Sequence, residues 1–126
     1  MTVIIDYGVG NLFSLVSSLK KIGEEAIVSS DKDIISHADR IILPGVGAFC
    51  DAIAKLNESV LSDIIMEEVS KGKPLLGICL GMQLLFERSF EYGENKGLGL
   101  IKGEIRALSE VIPNNLKIPH MGWNGL

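Results

Sequence analysis

The sequence predicts an α/β fold, a parallel sheet flanked by helices on both faces. Three observations predict it. Short apolar runs recur at Val3-Ile4-Ile5, at residues 26–29, at Arg40-Ile41-Ile42-Leu43 and at Leu75-Leu76-Gly77, each of strand length. Between them lie stretches whose apolar residues repeat at helical spacing. Glycine-bearing turns follow the first, third and fourth runs. Strands alternating with helices produce a parallel sheet, and ligands then bind beyond the carboxyl ends of its strands.

The first run ends in Asp6-Tyr7-Gly8-Val9-Gly10-Asn11. Its Gly-x-Gly lacks a third glycine and a Walker lysine, so a strand-to-helix turn is the better reading than a phosphate cradle. Leu12, Val16 and Leu19 then mark a helix, with Lys20 and Lys21 in its last turn and Gly23 as its stop. Residues 26–29 form a second strand. Residues 31–38 read as a loop with room for one helical turn, and His37 there reads as a surface or capping residue.

The third strand stops at Pro44. Pro44-Gly45-Val46-Gly47-Ala48-Phe49 follows, two glycines after a proline at a strand end. Such a loop can turn backbone N–H groups toward one point, the raw material of an oxyanion hole; from the loop alone an ordinary strand–loop–helix connection is the better reading, and the elbow at Cys79 shifts the balance. Cys50 begins a helix and reads as packing. Residues 59–71 predict an amphipathic helix, with Val60, Leu61, Ile64, Ile65 and Val69 as its buried stripe and Asp63, Glu67 and Glu68 in water. Gly72 ends it, and Pro74 opens the fourth strand, read as buried.

That strand runs into Gly77-Ile78-Cys79-Leu80-Gly81-Met82-Gln83. Glycines two residues either side of a cysteine, between strand and helix, make the thiol form of a nucleophile elbow. The turn is sharp, so a Cβ at either glycine would collide with its neighbours. The expected helix runs over residues 80–88 with Leu80, Leu84 and Leu85 on one side, and its N-terminus favours the thiolate form of Cys79. The plain alternative is a buried structural cysteine. Residues 89–97 read as a polar surface loop, 98–101 and 104–108 as short strands around Gly103, and 111–116 as a turn. The chain closes with Pro119-His120-Met121-Gly122-Trp123-Asn124.

Composition bounds the function. With 126 residues, 47% of them hydrophobic, the chain reads as a single domain over 1–126 with a real core. A net charge of -4 and a pI near 5.1 weigh against nucleic acid and anionic membrane as partners. Cys50 and Cys79 make neither a Cys-x-x-Cys pair nor a disulfide framework, which suits a reducing compartment. The first apolar run is halted by Asp6 and has no basic segment before it, so no signal peptide is expected. No apolar stretch reaches membrane-spanning length, so the expected location is cytoplasmic. No cofactor and no metal site are expected.

Four segments resemble, in order, the class I (triad-type) glutamine amidotransferases: those at 6–12, 44–49, 77–83 and 119–124. The likeness spans the whole chain. The elbow is common to the family. The loop at 44–49 and the segment at 119–124 mark the branch that feeds ammonia to a (β/α)8-barrel cyclase in histidine biosynthesis. The resemblance implies a three-layer, flavodoxin-like fold in which Cys79 attacks the side-chain amide of L-glutamine. It implies an oxyanion hole from Val46, Gly47 and Leu80, and substrate contacts from Gly45, Gly47 and Gln83. It implies a heterodimer with the cyclase through Asn11, Pro119, His120, Met121, Trp123 and Asn124. The family completes its triad with a His and a Glu in a His-Pro-Glu motif beyond position 126. Neither His37 nor His120 matches that histidine, so the resemblance implies the N-terminal two-thirds of the domain, incomplete at its C-terminal end and inactive alone. A paralog serving another acceptor, such as a sugar, and a non-catalytic binding module of the same fold share these motifs.

Overall fold

The computed structural model describes residues 1–125; Leu126, the last residue of the expected domain, lies outside the described residues. Four parallel strands form the main sheet: β1 (Thr2–Ile5), β2 (Ala26–Ser29), β3 (Arg40–Leu43) and β4 (Leu75–Gly77), in the order β2-β1-β3-β4. Helix α1 (Leu12–Lys21) links β1 to β2. Helix α2 (Lys32–His37) links β2 to β3, and α3 (Phe49–Glu58) and α4 (Leu61–Ser70) link β3 to β4. The chain steps one way from β1 to β2 and the other way thereafter. Right-handed crossovers therefore put α1 on one face and α2, α3 and α4 on the other. The expected parallel sheet with helices on both faces is the observed one.

Period-two alternation sorts the strand residues between these faces. Val3, Ile5, Ile41 and Leu43 pack with Ile35, Phe49, Leu56, Leu61 and Ile65 into one buried cluster. The opposite face carries Ile4 and Ile42, and Leu76 in register with Ile42. Among the described residues α1 is the only helix there, and none of its residues is fully buried. The fourth strand was expected to be buried. Among the described residues β4 pairs with β3 alone, and Leu76 is 55% exposed.

Helix ends follow the local chemistry. Asn11 caps α1, its side chain accepting the Ser14 N–H at 3.2 Å. Gly23, at φ 81, ends α1 while Gly23 and Glu24 N–H groups return to the Lys20 and Leu19 carbonyls, a Schellman closure. The segment read as a loop at 31–38 is helical over Lys32–His37. Asp31 caps it through the N–H groups of Asp33 and Ile34, and Ile35 is fully buried against the core. Two backbone bonds to one carboxylate and one buried anchor stabilise a helix too short to show periodicity. His37 is exposed, with its ring against the Asp33 carbonyl, as expected of a surface histidine.

The helix expected over 59–71 begins two residues later. Val60 stands at φ 61, a left-handed conformation that separates α3 from α4 and turns its side chain to solvent rather than into the stripe. Glu68 does not face water either. Its side chain is 5% exposed and accepts from Lys71 at 2.8 Å and Lys73 at 2.7 Å. The Lys73 ammonium also donates to the Ile35 and Ser36 carbonyls, each at 2.7 Å, at the carboxyl end of α2. All three ammonium protons are used, which makes burial of the pair tolerable.

The chain after the elbow departs most from expectation. Helix α5 covers only Leu80–Gln83. The carbonyls of Leu84, Leu85 and Phe86 accept from Leu98, Ile101 and Gly99 instead of from the next helical turn. This pairing starts a second sheet of β5 (Phe86–Ser89), β6 (Asn95–Lys96) and β7 (Ile101–Ile105), in the order β6-β5-β7. One strand runs through Gly103 where two were expected, and the polar loop contains β6. Gly97 is required here, since a Cβ would overlap the Phe86 carbonyl oxygen. Among the described residues, no helix is long and apolar enough to cross a membrane.

Hydrogen bonds from Lys71 and Lys73 lower the Glu68 carboxyl from 4.5 to about 2. A carboxyl lowered on folding adds stability that is fully present above its unfolded value and is lost as pH falls through its folded value. The midpoint of urea unfolding should therefore fall as pH drops from 4.5 toward about 2. Glu68→Gln should be less stable than the parent at neutral pH and should show a shallower fall over that window. Asp39, also lowered, titrates in both proteins, whereas Glu67 shares Lys71 with Glu68, so the difference reads the cluster that Glu68 forms with Lys71 and Lys73.

Candidate active site

The carboxyl ends of β1, β3 and β4 bring three loops to one cavity of about 150 Å³. Asn11, Ser14 and Leu15 line it from the first loop and α1. Pro44, Gly45 and Val46 line it from the second loop, and Ile78 and Cys79 from the elbow. Cys79 sits between β4 and α5 at φ 55 and ψ -118, an uncommon conformation for a residue with a Cβ. It is exposed, whereas Cys50, near the start of α3, is half-buried beside Asp51.

Backbone contact holds that conformation. A Cβ at Gly77 would lie 2.6 Å from the Met82 Cα, and one at Gly81 would overlap the Leu43 carbonyl oxygen. A Cβ at Gly45 would lie 2.8 Å from the Gly81 nitrogen and 2.9 Å from the Tyr7 hydroxyl. The two flanking glycines expected from the motif are therefore required, and Gly45 is a third that the motif did not single out. The same Leu43 carbonyl accepts the Ile78 N–H at 3.0 Å, tying the elbow to the end of β3. With α5 reduced to one turn, its dipole is small, and the prominence of Cys79 rests on exposure and turn geometry.

The remaining expected site residues divide into two groups. Leu80 is buried, and as the first residue of α5 its N–H has no partner within the helix. Gly47 is exposed at φ 95 beside the cavity residue Val46. Gln83 ends α5, donates its N–H to the Cys79 carbonyl at 3.2 Å, and has a buried Oε1 without a partner among the described residues. These lie on the loop or the helix that carries the cavity. Pro119, His120 and Met121 line a different groove of about 540 Å³ with Leu108, Ile112, Leu116 and Lys117. Asn124 Nδ2 lies 3.1 Å from His120 Nε2, and Trp123 is fully exposed. Asn11 was grouped with this segment from sequence. Asn11 lines the Cys79 cavity, and its side chain caps α1.

Two residues at the site were not expected. Tyr7, 6% exposed, donates its hydroxyl to the Pro44 carbonyl at 2.6 Å, and burial pushes that hydroxyl up to about 12. Glu91 accepts the Phe49 N–H at 3.2 Å, holding the far end of the 44–49 loop. Both contacts are long-range in sequence and left no local signal. Among the described residues, no three His, Cys, Asp or Glu side chains are grouped to hold a metal ion.

The glutamine amidotransferase class-I family matches residues 3–125. The chain belongs to this family. Curated relatives called imidazole glycerol phosphate synthase subunit HisH are similar to it along its length. That of Aquifex aeolicus is 53% identical, over 99% of this chain and 59% of its own length. That of Oceanobacillus iheyensis is 52% identical, over 100% of this chain and 61% of its own. The chain thus spans about three-fifths of these relatives. Among solved structures, a glutamine amidotransferase superposes with a TM-score of 0.69 at 24% identity, covering 81% of this chain and 54% of that one. A protein described as a peptidase E from Listeria monocytogenes superposes at 0.65 with 16% identity, covering 79% and 62%. At such identities the two structures speak for the fold alone. That fold agrees with the parallel α/β sheet that the sequence anticipated.

The glycine contacts separate two costs. Gly81→Ala forces a Cβ onto backbone that cannot move aside and should destabilise by roughly 2–4 kcal/mol. Gly47→Ala meets nothing within 4 Å and bears only the left-handed strain, about 1–2 kcal/mol. Urea unfolding of both variants against the parent measures the gap.

Proposed function

We propose that this chain carries the nucleophile half of a glutaminase site that supplies ammonia to a cyclase making imidazole glycerol phosphate. The observation that carries the reading is Cys79 exposed at an elbow whose two glycines are held by backbone contact, inside a class-I amidotransferase domain. In this mechanism the Cys79 thiolate adds to the side-chain amide carbon of glutamine. The C=O pair moves onto oxygen, where the Leu80 N–H and the N–H groups of Val46 and Gly47 stabilise it. Gly45, Gly47 and Gln83 hold the substrate. Collapse of the intermediate expels ammonia and leaves a glutamyl thioester. Water hydrolyses that thioester to glutamate and the free thiol.

Expelling ammonia needs a proton from a general acid, and the same group later activates water. The sequence contains two histidines. Neither lines the Cys79 cavity: His37 turns to Asp33, and His120 lies in the other groove. The chain by itself should therefore react at Cys79 with an electrophile that needs no general acid, but not turn glutamine over efficiently. A glutamine-like electrophile should label Cys79 in preference to Cys50, as read by mass spectrometry of peptides. Glutamate release should fall short of that of the Aquifex relative by a factor on the order of 10³ or more. Labelling centred on Cys50, or turnover near the relative's rate, would refute the assignment.

The partner reading rests on the apolar segment at 119–124. Met121 is 85% exposed and Trp123 fully so. Large apolar side chains of this kind are enriched where protein interfaces are driest. The proposed partner is a (β/α)8-barrel cyclase in a cytoplasmic heterodimer. Trp123→Ala should weaken binding to the barrel about tenfold or more and leave the unfolding midpoint nearly unchanged. Titration calorimetry beside urea unfolding checks both halves.

A further inference from the structure

We infer that Tyr7 is a positioning residue for the oxyanion loop, acting through the Pro44–Gly45 peptide. The inference rests on the oxyanion reading proposed above. The Tyr7 hydroxyl donates to the Pro44 carbonyl at 2.6 Å, across 37 residues of sequence. Both residues are buried. A peptide is a rigid plane, so fixing the Pro44 oxygen fixes the direction of the Gly45 N–H and the path into Val46.

The other side of that peptide is fixed too. A Cβ at Gly45 would come within 2.8 Å of the Gly81 nitrogen and 3.0 Å of the Leu80 Cβ. The loop is therefore held between the Tyr7 hydroxyl and the start of the elbow helix. Gly10 adds a third contact, since a Cβ there would lie 3.0 Å from the Pro44 Cβ. Downstream, Val46 is 56% exposed, Gly47 is exposed, and a Cβ built on Gly47 would meet nothing within 4 Å, so side-chain packing does little to set the orientation of either residue. Orientation enters at Pro44. A peptide with a free oxygen could rotate, carrying the following N–H groups away from Cys79. An oxyanion hole works only when its donors are already aimed, because reorientation during the reaction raises the barrier.

Tyr7→Phe keeps the ring and removes the donor. The test uses two reagents on the chain. The γ-aldehyde analogue of glutamine is captured reversibly: a bond forms between Cys79 Sγ and the aldehyde carbon, and the C=O π pair moves onto oxygen as an oxyanion. Iodoacetamide alkylates the same sulfur by displacing iodide, with no oxyanion. Tyr7→Phe should weaken aldehyde capture on the order of tenfold and leave the iodoacetamide rate within about twofold. Placing 4-aminophenylalanine at position 7 restores a donor and should recover most of the loss. Tyr92→Phe, at an exposed tyrosine outside the site, should change neither rate.

Equal capture by parent and Tyr7→Phe overturns the inference and leaves the oxyanion reading standing. Failure of the parent itself to capture the aldehyde overturns the oxyanion reading, and this inference with it. If Tyr7→Phe is marginally folded, an osmolyte added equally to both proteins restores the folded fraction for the comparison. A variant still unfolded there, or one whose two rates fall together, shows a tyrosine of purely structural use and overturns the inference.

Discussion

The carbonyl of Leu43 is the point on which the site depends. It ends β3, accepts the Ile78 N–H, and lies where a side chain on Gly81 would have to go. Backbone meets backbone at this point, so the spacing is set by van der Waals radii rather than by adjustable side chains. Everything near Cys79 inherits that fixed spacing. The unusual dihedral angles of Cys79 persist because the strand before it and the turn after it are both held.

A second constraint acts at the opposite ends of the strands. Lys73, just before β4, ties Glu68 of α4 to the last carbonyls of α2. That cluster fixes how the helix layer meets the start of β4, whose end carries the elbow. The result is a short edge strand held at both ends: by ionic hydrogen bonds where it begins and by glycine contacts where it finishes. Edge strands with one neighbour are otherwise the least constrained part of a sheet.

The α1 face is less covered. Leu19 of α1 and Ile22 just past its end, with Thr2, Ile42, Pro74 and Leu76, line a groove of about 320 Å³ on it. The core proper lies on the other face, where three helices meet the odd-numbered residues of β1 and β3. Burial is therefore unequal between the faces, although the helix placement follows the expected crossovers.

Local sequence determined the four parallel strands, the ends of α1, and the elbow with its two glycines. Each follows from interactions within a few residues: period-two alternation, a capping side chain, a glycine that tolerates positive φ. It also marked the three loops that meet at the cavity, because strand order in an α/β sheet sends them to one edge. Tertiary structure decided what depends on distant partners. Glu68 has the helical phase of the buried stripe, and Lys73, beyond the end of its helix, supplies the charge that lets a carboxylate sit there. The elbow helix stops at Gln83 because residues 98–101 take the carbonyls that another turn would have used. Gly45 must be glycine because Gly81 and Tyr7 approach it from opposite directions in sequence. Local propensity could not report these, since the competing hydrogen-bond partner or colliding atom lies many residues away and only the folded chain brings it near.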